Sequence, residues 1–268
     1  MYKRQVIQNF LKHKAAVVCL FLFLFLVIFS FIALAIGKYD YQTLVTDSSL
    51  AFRKPNSEYW FGTDNLGRDY WCQVWYATQV SIRLALIVAV GESILGVIIG
   101  LIWGYVRKLD RFFTELYNIC DNVPSTIILI LISYVASPSV KTLILGMSIT
   151  GWIAMARFIR NQILIIRDRD YNVASRCIGT PTSRIVVRNL LPYLVSVIML
   201  RMALTIPAAI GSEVFITYIG LGLSVEVPSL GNLINDGRKV MMQAGLRYQL
   251  LYPTIILSFV TIAFYLCL

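Results

Sequence analysis

The sequence predicts an all-α membrane protein, with six transmembrane helices and a helix-turn-helix loop on the cytoplasmic side. Three observations predict it. Of 268 residues, 58% are hydrophobic and 14% charged, against about 25% charged in an ordinary soluble domain. Uncharged runs long enough to span a bilayer recur along the chain. Lys and Arg collect in some of the intervening loops and not in others.

The N-terminal segment, 1–15, carries Lys3, Arg4, Lys12 and Lys14 and no acidic residue. Residues 16–36 then run 21 positions without a charge. At about 1.5 Å per residue this crosses a hydrocarbon core of about 30 Å, which makes it the first transmembrane helix. A signal peptide is the competing reading of a basic flank before an apolar run, but the run is too long and no small-residue cleavage site follows. An extracytoplasmic loop over 37–83 leads into a core domain, 84–268, with spans at 84–106, 112–136, 142–156, 193–212 and 249–268. The fourth span is short, and the fifth contains Arg201 and Pro207.

Cytoplasmic loops carry the excess of Lys and Arg, so charge sets orientation. Residues 157–188 hold seven Arg against Asp168 and Asp170, whereas 37–83 and 213–250 each sum to zero. Both termini and the 157–192 loop are therefore expected in the cytoplasm. The net charge of +10 follows from this topology and calls for no nucleic-acid partner.

Several chemistries find no support. Cys19, Cys72, Cys120, Cys177 and Cys267 are scattered without C-x-x-C spacing, and His13 is the single histidine. Neither a zinc site nor a disulfide framework is suggested. No G-x-x-x-x-G-K-[ST] phosphate loop, HExxH or GxSxG occurs, so an intrinsic ATPase or hydrolase is not expected.

Two loops carry information. In the first, WFGTDNLGRDYW (60–71) packs Gly62, Gly67, Asn65, Asp64 and Asp69 into successive tight turns, among aromatics suited to a membrane interface. In the second, 160–192, Ile163, Ile166, Ala174 and Ile178 recur among charges as on an amphipathic helix. Gly179 suits a left-handed helix stop, Thr180 the next N-cap and Pro181 the first residue of a new helix. This is a protein-docking elbow. Contact of its basic side chains with anionic lipid is the alternative, and a loop tied to the bilayer at both ends has little freedom to enter a DNA groove.

Glu92, Asp121, Arg201 and Glu213 fall inside or at the edge of spans, where a charge costs a few kcal/mol and faces a cavity or a partner. They are candidates for a pathway or a subunit interface. Gly96, Gly100 and Gly104, with Gly91 before them, form a face on which another helix can pack closely.

Together these strings resemble the inner-membrane permease subunits of ATP-binding cassette importers, in the dipeptide, oligopeptide and nickel branch. The second loop is similar to that family's E-A-A-x-x-x-G motif with its L-P ending, at Val173-Ala174-Ser175, Gly179 and Leu191-Pro192. The string at 60–69 is similar to the branch's external signature, and Glu213, YIGLGL (218–223) and PSLGNLINDGR (228–238) resemble its segment between the last two spans. Val173 stands where the family has Glu, Ser175 replaces Ala, and the chain ends at Leu268, ahead of the short charged tail the family leads one to expect.

The resemblance implies a type I importer permease fold and a multi-pass protein of a prokaryotic plasma membrane. Tyr171, Val173, Ala174, Ser175, Gly179, Thr180, Pro181, Leu191 and Pro192 would couple it to an ATP-binding subunit. Trp60, Gly62, Thr63, Asp64, Gly67, Arg68 and Asp69 would form the external signature, and Glu213 would serve the pathway or its gate. The implied partners are a second homologous permease, two ATP-binding cassette subunits holding ATP and Mg, an extracytoplasmic substrate-binding protein and membrane lipid. No cofactor is expected on this chain, and the cargo stays open among peptide, nickel, metal chelate and other small solutes. Two rivals come from other classes. A secondary transporter would place its whole pathway in one chain, commonly as an internal repeat, and no repeat is evident. A membrane hydrolase would need a carboxylate pair such as Asp64/Asp69 or Glu92/Asp121, neither at helical i,i+3 or i,i+4 spacing.

Overall fold

The computed structural model describes residues 14–37, 48–224 and 227–266. The basic flank over 1–13, including His13, lies outside the described residues, as do Cys267 and the side chain of Cys19. The described chain is helical: α1 (Lys14–Ile36), α2 (Tyr70–Tyr105), α3 (Arg107–Asp121), α4 (Ser125–Ala136), α5 (Val140–Ile166), α6 (Asp170–Cys177), α7 (Thr182–Ile185), a π-helical turn (Val186–Leu190), α8 (Leu191–Tyr218), α9 (Leu230–Val240) and α10 (Tyr248–Leu266). Among the described residues there is one isolated β-bridge, Thr63 to Asp69.

Four helical stretches are long and apolar enough to cross a membrane, at Tyr70–Tyr105, Val140–Ile166, Thr182–Tyr218 and Tyr248–Tyr265. A fifth arises if α3 and α4 count as one broken span. The first expected span corresponds to α1, 23 residues long.

The span limits shift in several places, the fifth span among them, which extends to Tyr218. The second span begins at Tyr70 and not at 84. Its first turns are rich in polar residues, and the buried glutamines among them have partners: Gln73 Nε2 donates to Asp64 Oδ2 at 2.8 Å and Gln79 Nε2 to Ser30 O at 3.0 Å. Asp69 starts the helix, its Oδ1 accepting from the Trp71 amide at 3.1 Å. The expected span over 112–136 is bent by 77° between α3 and α4. Pro124 supplies no amide, and the residue before it is biased away from helix. The fourth span is longer than expected, running from Val140 to Ile166.

The chain forms two compact units. The first comprises 1–85, 138–140 and 206–268, and the second 86–137 and 141–205. In the first, α10 packs on α9 and α1. In the second, Met155, Ile159, Ile163 and Ile166 of α5 form a buried core with Leu190 and Leu194, flanked by Val97 and Leu101 of α2. The expected glycine seam lies in this unit. A Cβ at Gly96 would meet Met155 Cβ at 2.4 Å, one at Gly100 would meet Ile159 Cβ at 2.7 Å, and one at Gly104 would meet Ile163 Cβ at 2.7 Å. Only glycine permits this approach of α2 to α5.

Candidate functional site

The elbow belongs to the second unit. α6 spans eight residues and ends in a left-handed residue, Gly179, at φ +82°. The Gly179 amide donates to Arg176 O and the Thr180 amide to Ser175 O, both at 3.0 Å, the paired closure of a Schellman motif. The new helix starts one residue later than the sequence suggested: Pro181 has ψ 143° and is itself the N-cap, with Thr182 first in α7. Thr180 therefore lies one residue before the cap, its amide closing the preceding helix.

Ionic contacts frame the elbow. Asp168 receives Arg176 at 3.0 Å, Arg167 at 3.2 Å and Arg107 at 3.6 Å. Arg167 also donates to Gly104 O at 2.8 Å. The Arg176 guanidinium, helped by Arg167 and Arg107, holds the Asp168 carboxyl below its ordinary range. Outward the elbow is bare: Tyr171, Val173, Ala174, Gly179 and Pro181 are exposed, Ser175 and Thr180 are half-buried, and Ile178 is 84% exposed. Leu191 and Pro192 open α8 immediately after the π turn.

Sequence reasoning missed two residues here. Asn172 is the one fully buried residue of α6. Its Nδ2 donates to Ile166 O at 2.8 Å, and its Oδ1 accepts from Asn189 Nδ2 at 3.0 Å. The pair is separated by 17 positions, so no local pattern announces it.

Glu213 sits in the first unit, fully buried. Its carboxylate accepts from the Ser81 and Thr217 hydroxyls, each at 3.2 Å. Those hydroxyls accept in turn from the Leu230 and Leu223 amides at 3.3 Å, so the carboxylate organises the glycine-containing turn after α8. The Ser229 side chain caps α9, and Asn232 Nδ2 closes the turn before it by donating to Ser224 O and Val227 O. Glu92, in the second unit, faces Gly151 and lies in electrostatic reach of Arg201, with no salt bridge between them among the described residues. Arg201 rests over the Phe158 ring at 5.8 Å. Asp121 is exposed at the α3 bend, so it does not lie inside an unbroken span.

The external-signature residues are used by the fold. Asp64 Oδ1 accepts from the Leu66 and Arg68 amides, and its Oδ2 from Arg68 Nε at 2.7 Å and from Gln73. Asp69 caps α2, and burial pushes its carboxyl above the ordinary range. Thr63 O accepts from Gln249 Nε2 at 3.0 Å, and the Tyr248 hydroxyl lies 3.0 Å from it. Trp60 packs edge-on against Trp71, Gly62 and Gly67 take positive φ, and Arg68 pairs with Asp64. Both carboxylates are thus engaged in turns and caps. No group of three or more metal-ligating side chains occurs among the described residues.

Residues 96–268 match the family described as the binding-protein-dependent transport system inner membrane component, and residues 2–55 match the N-terminal TM domain of oligopeptide transport permease C. The oligopeptide transport system permease protein AmiD of Streptococcus pneumoniae is 41% identical over 88% of this chain and 77% of its own. The dipeptide transport system permease protein DppC of Bacillus subtilis is 33% identical over 98% of this chain and 82% of its own. A chain of the MetNI methionine ABC transporter, solved in inward-facing conformations, has a TM-score of 0.59 over 70% of this chain and 91% of that one, at 18% identity. That likeness shows the fold.

Proposed function

The chain belongs to the family of binding-protein-dependent transport system inner membrane components and is a membrane-spanning permease subunit of the ATP-driven importer type, from which we propose that its cargo is a short peptide and that the 160–192 elbow couples it to a separate ATP-binding subunit. Its relatives are permeases of oligopeptide and dipeptide transport systems, which supports a peptide over nickel or a metal chelate. In this reading the partners are a second homologous permease, two ATP-binding subunits carrying ATP and Mg, and an extracytoplasmic substrate-binding protein. The chain has no ATPase site of its own. Both termini and the elbow lie in the cytoplasm, Glu213 organises the external gate, and Glu92, Asp121 and Arg201 face the pathway or the subunit interface.

One observation carries the coupling role: an eight-residue helix, fixed from within, presents Tyr171 and Val173 to the outside together with its C-cap residue Ile178. An exposed apolar surface held on a rigid frame is what a docking element needs. Gly179→Val tests it. A β-branched residue at φ +82° is strained by about 1–2 kcal/mol and misdirects α6. The variant is expected in the membrane at normal level, with weakened capture of the ATP-binding subunit and no substrate-stimulated hydrolysis. Ala174→Glu acts similarly, and Arg184→Lys is milder. Normal uptake and stimulation in the Gly179→Val complex would overturn the coupling role.

A further inference from the structure

We propose that Asn172 and Asn189 form a positioning pair that makes the docking helix and the first turns of the following span move as one body, an inference that rests on the docking role of α6.

α6 has two turns, too few to be stable by itself, and among its residues only Asn172 is buried. Its orientation is held at the exposed side by the Arg176 pair with Asp168 and at the buried side by Asn172. The amide is engaged in two directions. Toward the preceding span it donates to Ile166 O at 2.8 Å, at the end of α5, a carbonyl that also accepts the Arg169 amide at 3.3 Å. Toward the following span it accepts from Asn189, and Asn189 Nδ2 also lies 3.5 Å from Ser175 Oγ on α6.

Asn189 reaches this position through the π-helical turn Val186–Leu190. The extra residue of a π turn changes the helical phase, which lets Asn189 face Asn172 while Leu190 and Leu194 stay in the apolar cluster with Ile163 and Ile166. Such turns occur frequently at functional sites. An apolar contact here would tolerate sliding. A directional amide pair fixes register, and it costs little in stability while both members are satisfied. The result is a fixed link from α5 through α6 to α8, the route by which a push on the docking helix would reach a membrane span.

The test uses the complete complex in proteoliposomes, with uptake of a transported peptide per ATP hydrolysed as the readout. Capture of the ATP-binding subunit and thermal stability are followed in parallel. Asn189→Leu leaves the buried Asn172 Oδ1 without its donor, and Asn172→Leu leaves the half-buried Asn189 Nδ2 without its acceptor. Each is expected to lower uptake per ATP on the order of tenfold, the scale of a one-bond coupling term, with capture unchanged. The double variant removes both amides, so stability returns toward that of the parent protein while uptake per ATP stays as low as in the single variants. A merely structural pair would give the opposite: the double variant would regain coupling together with stability, and that overturns the proposal. Parental uptake per ATP in either single variant overturns it as well. Gly179→Val runs alongside. If it leaves capture and coupling intact, the docking reading has failed; if it uncouples while the Asn variants do not, only the positioning pair has failed.

Discussion

The signature turn at 60–69 and the elbow at 170–181 use the same vocabulary, glycines at positive φ and short polar side chains bonding to backbone, and they use it in opposite directions. In the signature turn everything closes inward. Thr63, Asp64 and Asp69 are buried, Asp64 gathers two amides, a guanidinium and a carboxamide, and α10 adds Gln249 and Tyr248. In the elbow the polar groups bond inward through Asn172 and Asp168 while apolar side chains are left outside, with Ile178 84% exposed. The difference teaches how to separate a structural loop from a docking loop. The first has spent its side chains on itself, and the second has kept a face uncommitted.

The largest expected effect breaks the closed side. Asp64→Ala removes the acceptor of Arg68, of Gln73 and of two amides, and Asp64 is 5% exposed. Breaking a buried charged pair from one side costs about 3–5 kcal/mol, so this variant is expected to unfold the turn. A fall in thermal unfolding temperature in detergent, with loss of the assembled protein, checks it.

Next comes a matched pair of glycine substitutions. Gly62→Ala and Gly179→Ala both place a Cβ on a residue at positive φ. At Gly62 that Cβ would also lie 2.5 Å from Arg53 O, a carbonyl already accepting from the Thr63 amide and the Tyr248 hydroxyl. At Gly179 it meets nothing within 4 Å. Gly179→Ala should therefore cost only the backbone term of about 1 kcal/mol, and Gly62→Ala about 3 kcal/mol. Equal losses in thermal unfolding would erase the distinction between a closed and an open loop.

What was legible in the sequence follows from the range of the interactions. Gly179-Thr180-Pro181 punctuates the elbow through backbone preferences that act within a few residues, so its place was readable to within one position. The glycine seam was readable because helical periodicity alone puts Gly96, Gly100 and Gly104 on one face. The start of α2 at Tyr70 was not, because Gln73 and Gln79 look like loop residues until Asp64 and Ser30 O are seen to satisfy them. The bend at Pro124 had a local signal that an apolar run on either side concealed. Asn172 and Asn189 had none, since the two amides that meet are 17 positions apart.

The smallest effect compares two aspartates whose carboxyls respond to pH with opposite sign. Burial raises the Asp69 carboxyl above its ordinary value, and Arg176 lowers that of Asp168. For Asp168 the folded form binds fewer protons than the unfolded form, so its contribution is present above the unfolded value of 3.8 and is lost as pH falls through the depressed one. For Asp69 the folded form binds more protons. Its carboxylate weighs against folding at neutral pH, and the cost is relieved as pH falls toward 3.8. Asp168→Asn should thus destabilise at pH 7 by a few tenths of a kcal/mol, the scale of a half-exposed ion pair, and the gap to the parent should close in acid. Asp69→Asn keeps an oxygen to cap α2 without a buried charge, so it should be neutral or slightly stabilising at pH 7 and lose that advantage in acid. Thermal unfolding of both variants from neutral pH down to about pH 2.5, below the ordinary carboxylate range, measures the two slopes, that of Asp69 above 3.8 and that of Asp168 below it. Slopes of the same sign would show that the two loops do not hold their carboxylates in opposite ways.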